Sequence, residues 1–194
     1  LRKEAEAEGK TFTYNQATRD KLTNSLTLSE AETQRRLKEE NHWTIRFKMP
    51  VNRVVAMDDL IRGHIEVNTD TLDDKVLWKA ADQLPTYHLA NIVDDHFMKI
   101  THVMRAQEWI PSTPLHVLMY QAFGWEPPQF CHLPMVMGQD GQKLSKRHGA
   151  TSVNEFRARG YLPKALINYV AMLGCSYEDG RDIYPLADFE KLFK

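Results

Sequence analysis

The spacing of hydrophobic residues divides the chain into stretches with different expected structures. Apolar and polar residues alternate from residue 42 to residue 49, and this period of two predicts a half-buried strand. Short apolar runs at 54–56, 64–67 and 76–80 predict three further strands. After a polar, weakly periodic stretch up to residue 28, we therefore expect a mixed α/β region with antiparallel strands.

Helical and extended patterns alternate in the middle of the chain. An apolar face with a helical period runs from Tyr87 to about Met98, and a short strand is expected at 100–105. Thr113-Pro114 then supply a helix N-cap and a proline at the first helical position, Gly124 marks the end of that helix, and the apolar run 132–137 predicts a buried strand. This order is typical of half of a doubly wound nucleotide-binding fold with a parallel sheet.

Two capping boxes, Ser-x-x-Glu at 29–32 and at 152–155, predict helix starts. The first opens a charged helix to about Asn41, and the second opens a helix that ends at Gly160. Another helix is expected from Pro163 to Leu173, so the last part of the chain is predicted to be helical.

Composition narrows the classes of function without naming one. The 25 Lys and Arg residues balance the 26 Asp and Glu residues, so net charge does not indicate a nucleic-acid partner, although it would hide a local basic patch. Neither cysteine belongs to a CxxC pair and the histidines are scattered, so we expect no disulfide framework and no metal site, zinc included. No apolar run is long enough to span a membrane, and the first residues lack signal-peptide character; we expect a cytoplasmic protein.

A basic loop is the first candidate for chemistry. Residues 143–147, Lys-Leu-Ser-Lys-Arg, place three cations after a predicted buried strand and the flexible segment 138–141. Open α/β sheets bind ligands at the carboxyl edge of their strands, where such a loop could stabilise charge that develops during phosphoryl or adenylyl transfer. The same residues also fit an ordinary solvated loop. A P-loop is disfavoured because GxxxxGK[ST] is absent.

Four further side chains suit recognition of a small ligand. Tyr87 and Asn91 are four residues apart and share one face of the predicted helix. Arg105 closes a strand, where its guanidinium could hold a carboxylate through two hydrogen bonds, and Trp109 offers a flat face for a purine. Satisfied polar residues, a salt-bridged arginine and a core tryptophan are the alternatives, and each motif by itself leaves both interpretations open.

Five motifs follow one another in order: PTYHLANIVDDH (85–96), THVMRAQEW (101–109), STPLHVLMYQAFGW (112–125), HLPMVM (132–137) and KLSKR (143–147). Together they resemble bacterial-type glutamyl-tRNA synthetase, a class I aminoacyl-tRNA synthetase. The resemblance is dense from Val76 to Asp188 and looser from Ser29 to Thr71, and the last motif corresponds to the family's KMSKS-type loop.

The resemblance implies a glutamate pocket and an ATP site. Tyr87, Asn91 and Arg105 match positions lining the glutamate pocket, with Arg105 as the partner of the substrate carboxylate. The positions expected to bind ATP are Trp109, Met135, Val136, Lys143, Ser145, Lys146 and Arg147. Lys143 and Lys146 are the expected catalytic residues, because they would stabilise charge on the α-phosphate as pyrophosphate leaves.

The implied activity is ATP-dependent attachment of glutamate to tRNA(Glu) through a glutamyl-adenylate, with Mg²⁺ accompanying ATP, by a protein expected to be a monomer. Gln107 departs from the family, which usually has an acid there, so no electrostatic role is carried over to it. Two alternatives remain: the shorter paralogue that glutamylates queuosine in tRNA, and a non-catalytic tRNA-binding module.

The resemblance also predicts a domain order. Residues 1–84 are expected to be the later part of an α/β insertion that binds the acceptor stem, 85–141 the second half of the Rossmann-like catalytic domain, and 142–194 the KMSKS-type loop with the start of a helical stem-contact domain. The family's HIGH motif has no counterpart, since Gly63-His64-Ile65 lies in the wrong element. We therefore expect an interior piece that lacks one wall of the ATP site and is inactive alone.

Overall fold

The chain forms two compact units, Leu1–Pro134 and Met135–Lys194. The computed structural model describes residues 2–7, 9, 11–138, 140–144, 152–174, 177 and 180–192. None of the helices within those residues combines the length and the apolar content needed to cross a membrane.

Among its described residues, the first unit contains two small sheets and four α-helices. Its helices are α1 (Arg2–Ala7), α2 (Glu30–Glu39), α3 (Tyr87–Phe97) and α4 (Thr113–Phe123). Its strands are β1 (Thr44–Arg46), β2 (Val54–Asp59), β3 (Gly63–Asn68), β4 (Val76–Lys79), β5 (Leu84–Pro85), β6 (His102–Ala106) and β7 (Gln129–Leu133). Short 3-10 turns lie at Arg19–Lys21, Thr69–Thr71 and Gln107–Ser112.

The antiparallel sheet has the strand order β1-β4-β5. The predicted strand 42–49 is shorter than expected: only Thr44–Arg46 is regular, and its register with β4 shifts between Ile45 and Arg46. Ile45, which the alternating pattern placed on the buried face, is 51% exposed and lies beside this shift. Ser29 caps α2 by accepting a hydrogen bond from the backbone N–H of Glu32, as predicted.

The N-terminal segment is tied to this sheet by a buried ion pair. Arg19 Nε lies 3.3 Å from Asp74 Oδ2, and both side chains are almost fully buried. Arg19 also donates to the backbone carbonyl of Met49, while Asp74 accepts from the Met49 N–H. Arg46 lies over the ring of Tyr14 at 4.2 Å, so the segment has a second contact with the same sheet.

The second sheet is mixed, with the order β3-β2-β7-β6. Strands β6 and β7 are parallel over five residue pairs, His102↔Gln129 to Ala106↔Leu133, with α4 as the connection between them. The predicted α/β fold with parallel strands is therefore confirmed. The hairpin β2–β3 joins it through one parallel pairing, Asp59↔Phe130, which the sequence did not predict.

Strand β7 lies earlier in the chain than predicted. It begins at Gln129 and ends at Leu133, whereas the apolar run suggested 132–137. Pro134 has no N–H to donate to a neighbouring strand and so ends the pairing, and the strand begins directly after Pro127-Pro128.

Helix α4 is the centre of the core. Residues 113–120 are all buried, so its apolar character extends around the helix instead of forming one stripe. Gly124 ends the helix with φ = 71°, as predicted. Thr113, however, is the first residue of the helix and not its N-cap, which is Ser112, and its hydroxyl makes the tertiary contacts described below.

The second unit is helical where it is described. Its helices are α5 (Val153–Ala158), α6 (Pro163–Ala171) and α7 (Leu186–Leu192). The capping box at Ser152 is complete, since Ser152 and Glu155 satisfy each other's backbone N–H groups. Tyr177, Tyr184 and Phe189 pack with ring centroids 5.0 to 5.8 Å apart and form the unit's aromatic cluster.

Candidate functional site

Arg105 stands at the carboxyl end of β6, and three polar side chains hold its guanidinium. Its Nε donates to His132 Nε2 at 3.0 Å, and its Nη2 donates to the Thr113 hydroxyl at 2.9 Å. Its Nη1 lies 3.2 Å from His116 Nδ1. Within the part of the chain that the structure describes, no carboxylate lies within 4 Å of Arg105, so the salt-bridged alternative is wrong.

The hydrogen bonds around Arg105 determine the tautomers of its partners. A guanidinium has only donors, so His132 Nε2 and His116 Nδ1 must both present lone pairs, and both rings are neutral. His116 therefore carries its proton on Nε2 and donates it to His88 Nδ1, 3.1 Å away. Burial, reinforced by the charge of Arg105, lowers the pKa of His116 to about 3, which agrees with a neutral ring.

Asp59, at the end of β2, holds the other side of His132. Its Oδ2 lies 2.6 Å from His132 Nδ1, so Nδ1 carries the proton that the carboxylate accepts. Asp59 also accepts from the backbone N–H groups of His132, Ile61 and Arg62. Burial by itself would raise the pKa of Asp59, but these donors outweigh it and lower the pKa to about 2. The carboxylate is therefore ionised throughout the neutral range.

Tyr87, at the first turn of α3, meets Arg105 and Trp109. Its ring centroid lies 4.6 Å from that of Trp109, and the Arg105 guanidinium lies 5.8 Å from the Trp109 ring. Burial lowers the pKa of Arg105 from its ordinary value, while a hydrogen bond with the Tyr87 hydroxyl opposes this. Tyr87 is 47% exposed, so this group is open to a small molecule.

Asn91 lies one helical turn beyond Tyr87 on the same face of α3. Its side-chain oxygen is buried and has no hydrogen-bond partner among the residues described. A buried polar atom without a partner is costly in a finished core and is expected where a ligand completes the bonding. The structure thus brings Tyr87, Arg105 and Trp109 together and places Asn91 one helical turn from Tyr87.

Gln107 makes a hydrogen bond that does not require a charge on its side chain. Its side-chain oxygen accepts a hydrogen bond from Arg62, whose Nε also donates to the backbone carbonyl of His132. The amide therefore links the β2–β3 turn to the segment after β6. This contact needs an acceptor and no charge, which explains how a glutamine is accommodated there.

The residues predicted to bind the phosphates belong to the second unit. Val136 and Leu144 are joined by a backbone hydrogen bond of 2.9 Å, and Met137 pairs with Lys143 in an antiparallel bridge. Lys143 is exposed and stands at the end of this turn. Met135 lies just before it and is half-buried. Ser145, Lys146 and Arg147 lie outside the residues that the structure describes, so their assignment stays a prediction.

Four residues of this site were missed by the sequence interpretation: Asp59, Thr113, His116 and His132. His132 follows the buried residues Phe130 and Cys131 in β7 and has no exposed surface, and a buried imidazole requires partners. The alternation in β2 places Asp59 on the same buried face as Val55 and Met57. These two signals mark each residue as a buried polar group that needs a partner, but they do not say that the two residues meet. No group of three or more His, Cys, Asp or Glu side chains able to hold a metal ion occurs within the described residues.

Comparison with known proteins agrees with the resemblance in the motifs. The family model for class I tRNA synthetases (E and Q), catalytic domain, matches residues 1–194. The glutamate–tRNA ligase of Treponema denticola is 65% identical over 167 residues, which cover 86% of this chain and 33% of that protein. The one from Flavobacterium johnsoniae is 45% identical over 208 residues, covering 99% of this chain and 41% of that protein.

A solved structure matches along almost the whole chain. The crystal structure of a glutamate tRNA ligase from Elizabethkingia meningosepticum, in complex with its amino acid, superposes with a TM-score of 0.89 at 48% identity. The match covers 98% of this chain and 41% of that one, so the chain spans about two fifths or less of the relatives described here. The chain belongs to the class I tRNA synthetases for glutamate and glutamine, and its 194 residues lie within the catalytic domain of that family.

Proposed function

We propose that the protein to which these residues belong attaches glutamate to tRNA(Glu), using ATP and forming a glutamyl-adenylate. The observation that carries the proposal is Arg105, a half-buried guanidinium held by neutral groups, with no carboxylate within 4 Å among the described residues. A cation prepared in this way favours a ligand that brings its own carboxylate. Relatives of up to 65% identity are named glutamate–tRNA ligases, which supports this activity over a queuosine-modifying paralogue or a non-catalytic module.

The glutamate pocket is proposed to consist of Tyr87, Asn91 and Arg105. Arg105 supplies the counter-charge, and Asn91 offers a buried oxygen to a donor on the ligand. Glutamine has the same shape as glutamate but no charge, so a fixed guanidinium discriminates between the two by electrostatics instead of size. Trp109, packed against Tyr87, closes the pocket on its ATP side in this proposal.

The chemistry is proposed to follow from charge stabilisation. The glutamate carboxylate attacks the α-phosphate of ATP, supplied with its Mg²⁺, and pyrophosphate leaves; the terminal ribose hydroxyl of the tRNA then attacks the adenylate. Lys143 and Lys146 would stabilise the charge that builds up on the phosphates, with Ser145 and Arg147 in the same loop and with the backbone at Met135 and Val136 beside the adenine. No side chain of the protein needs to act as a nucleophile.

Residues 1–84 are proposed to contribute to binding the acceptor stem. A surface cleft of about 630 Å³ in this region is lined by Arg36, Arg46 and Lys48 together with Tyr14 and Trp43. Basic side chains beside aromatic rings suit contact with a phosphate backbone. We propose that the protein works in the cytoplasm as a monomer.

The test of this function is aminoacylation by the intact protein with labelled glutamate and tRNA(Glu), and Arg105→Ala is the diagnostic variant. We expect the KM for glutamate to rise by at least about 100-fold while the KM for ATP stays within about twofold, because the guanidinium is proposed to bind the substrate carboxylate and not the nucleotide. Arg53→Ala is the matched control, since Arg53 is an exposed arginine bonded to Gln121. Unchanged glutamate dependence in Arg105→Ala would contradict the pocket assignment, and absence of glutamyl-tRNA from the wild-type reaction would contradict the function.

A further inference from the structure

Asp59 and His132 form a buried chain of hydrogen bonds that ends on Arg105. The carboxylate of Asp59 lies 2.6 Å from His132 Nδ1, and His132 Nε2 accepts from Arg105 Nε at 3.0 Å. Asp59 is 5% exposed and His132 is 0% exposed, so solvent cannot replace either contact. Neither residue belongs to the proposed glutamate pocket.

The charge of Asp59 determines which atoms donate in the hydrogen bonds that link Asp59, His132 and Arg105. Four donors point at its two oxygens: the Nδ1–H of His132 and the backbone N–H groups of Ile61, Arg62 and His132. An ionised carboxylate accepts all of them and keeps the imidazole proton on Nδ1. The lone pair on Nε2 then faces Arg105, which has only protons to offer.

We propose that Asp59 and His132 are positioning residues that hold the Arg105 guanidinium in its carboxylate-binding orientation by fixing the tautomer of His132. The inference rests on the proposed function for its substrate, glutamate. Neutral His132 holds Arg105 without placing a carboxylate directly against it, whereas a carboxylate in the position of His132 would pair with the guanidinium and compete with the substrate. The arrangement therefore fixes the guanidinium and leaves it free to pair directly with a substrate carboxylate.

Thr113 and His116 complete the support. The Thr113 hydroxyl accepts from Arg105 Nη2 and donates to the carbonyl of Trp109, while Nη1 meets the lone pair of His116 Nδ1. With Nε on His132, each of the three nitrogens of the guanidinium contacts a side chain of α4 or β7. Rotation of Arg105 away from the pocket would break all three contacts.

Asp59→Asn in the intact protein tests the proposal. An amide in place of the carboxylate offers its own N–H to His132 Nδ1 and moves the imidazole proton to Nε2, where it opposes the proton of Arg105 Nε. We expect the KM for glutamate to rise roughly 10- to 100-fold, with the KM for ATP within about twofold of wild type. Asp58→Asn, the same change one residue earlier on the exposed face of β2, is the control and is expected to leave both constants unchanged.

His132→Gln separates a tautomer effect from general damage. A glutamine oxygen can accept from Arg105 without depending on a tautomer, so this variant should retain more glutamate affinity than His132→Leu. Adding Asp59→Asn to His132→Gln should then change the glutamate KM by less than about threefold, a non-additivity expected of two residues acting through one contact. The proposal would be overturned if Asp59→Asn raised the glutamate KM by the same factor in the wild-type protein and in His132→Gln. It would also be overturned if Asp59→Asn raised the KM for glutamate and the KM for ATP equally.

The imidazole ¹⁵N signals of His132 report which ring nitrogen carries the proton, and this measurement does not require enzyme activity. Wild type is expected to show a protonated Nδ1 and an unprotonated Nε2, and Asp59→Asn the reverse. A wild-type protein with the proton on Nε2 would overturn the proposal whether or not the protein forms glutamyl-tRNA. A wild-type protein that is inactive with glutamate but shows the expected tautomer would contradict only the proposed function.

Discussion

At the scale of single residues, the neutral histidines around Arg105 make stability depend on pH. The pKa of His116 is about 3 in the folded protein because of burial and the neighbouring Arg105, against an ordinary value of 6.5. Below pH 6.5 the unfolded chain therefore binds a proton that the folded chain does not. The stabilising contribution of the neutral ring is complete above pH 6.5 and is lost progressively as the pH falls towards 3. The pKa of His88 is also lowered by burial, which acts in the same direction.

We expect the free energy of unfolding to fall by about 1.6 kcal/mol between pH 6.5 and pH 5 through His116. Urea unfolding at the two pH values, followed by tryptophan fluorescence, measures the difference. His116→Gln should flatten this dependence because it removes the titrating group. His102→Gln, a change at an exposed histidine in the same unit, should retain the wild-type slope. Equal slopes for wild type and His116→Gln would show that His116 is protonated in the folded state.

The sequence identified the residues of the proposed ligand pocket better than the residues that support them. Tyr87, Arg105 and Trp109 lie in motifs whose order is distinctive, and the structure brings all three together. Asp59 and His132 are 73 positions apart, and their partnership depends on a strand pairing that no local pattern encodes. Sequence periodicity shows that such residues are buried, but not which residue each one meets.

At the scale of elements, α4 depends on a conformation that glycine adopts easily. Gly124 has φ = 71° at the end of the helix, and its N–H bonds back to the carbonyl of Gln121. No heavy atom lies within 4 Å of the position that a Cβ would occupy. Any effect of a side chain there must therefore come from backbone strain and not from a clash.

We expect Gly124→Ala to lower the free energy of unfolding by about 1 kcal/mol, because alanine is strained in the left-handed region. Gly124→Asn should cost less, since asparagine tolerates that region better. Thermal or urea unfolding of the two variants provides the comparison. If asparagine and alanine cost the same, the strain explanation is wrong.

Element boundaries were predicted well where a local signal was present. The Ser29 and Ser152 caps, the first residue of α3 and the end of α4 each depend on neighbouring residues, and each was predicted. The errors in β1 and β7 came from features that apolar spacing does not report: a register shift opposite β4, and a proline that ends hydrogen bonding inside an apolar run.

At the scale of the whole molecule, the pair Arg19–Asp74 joins the N-terminal segment to the first sheet across 55 positions. Asp74→Ala would leave the Arg19 guanidinium buried without its counter-charge. We expect this variant to lose about 3–5 kcal/mol of unfolding free energy, as is usual when one partner of a buried pair is removed. Chemical denaturation of the intact protein measures the loss.

Asp73→Ala is the matched control for that experiment. Asp73 is the preceding residue, and its ion pair with Lys75, at 3.0 Å, is only partly shielded from solvent. Such pairs contribute about 0–1 kcal/mol. Similar losses for Asp73→Ala and Asp74→Ala would show that the buried pair does not hold the segment in place.

The β2–β3 hairpin pairs with the parallel strands at one residue pair, Asp59↔Phe130, and this pairing cannot form during synthesis until β7 has been made. The carboxylate of Asp59 emerges from the ribosome 73 residues before His132, and Arg105 emerges 27 residues before it. At about 5–20 residues per second, Arg105 waits roughly one to five seconds for the strand that orients it. Closing so long a loop costs little extra entropy, but it cannot precede the arrival of β7. The cation proposed to select glutamate is therefore oriented by a strand that the ribosome has not yet released when Arg105 appears.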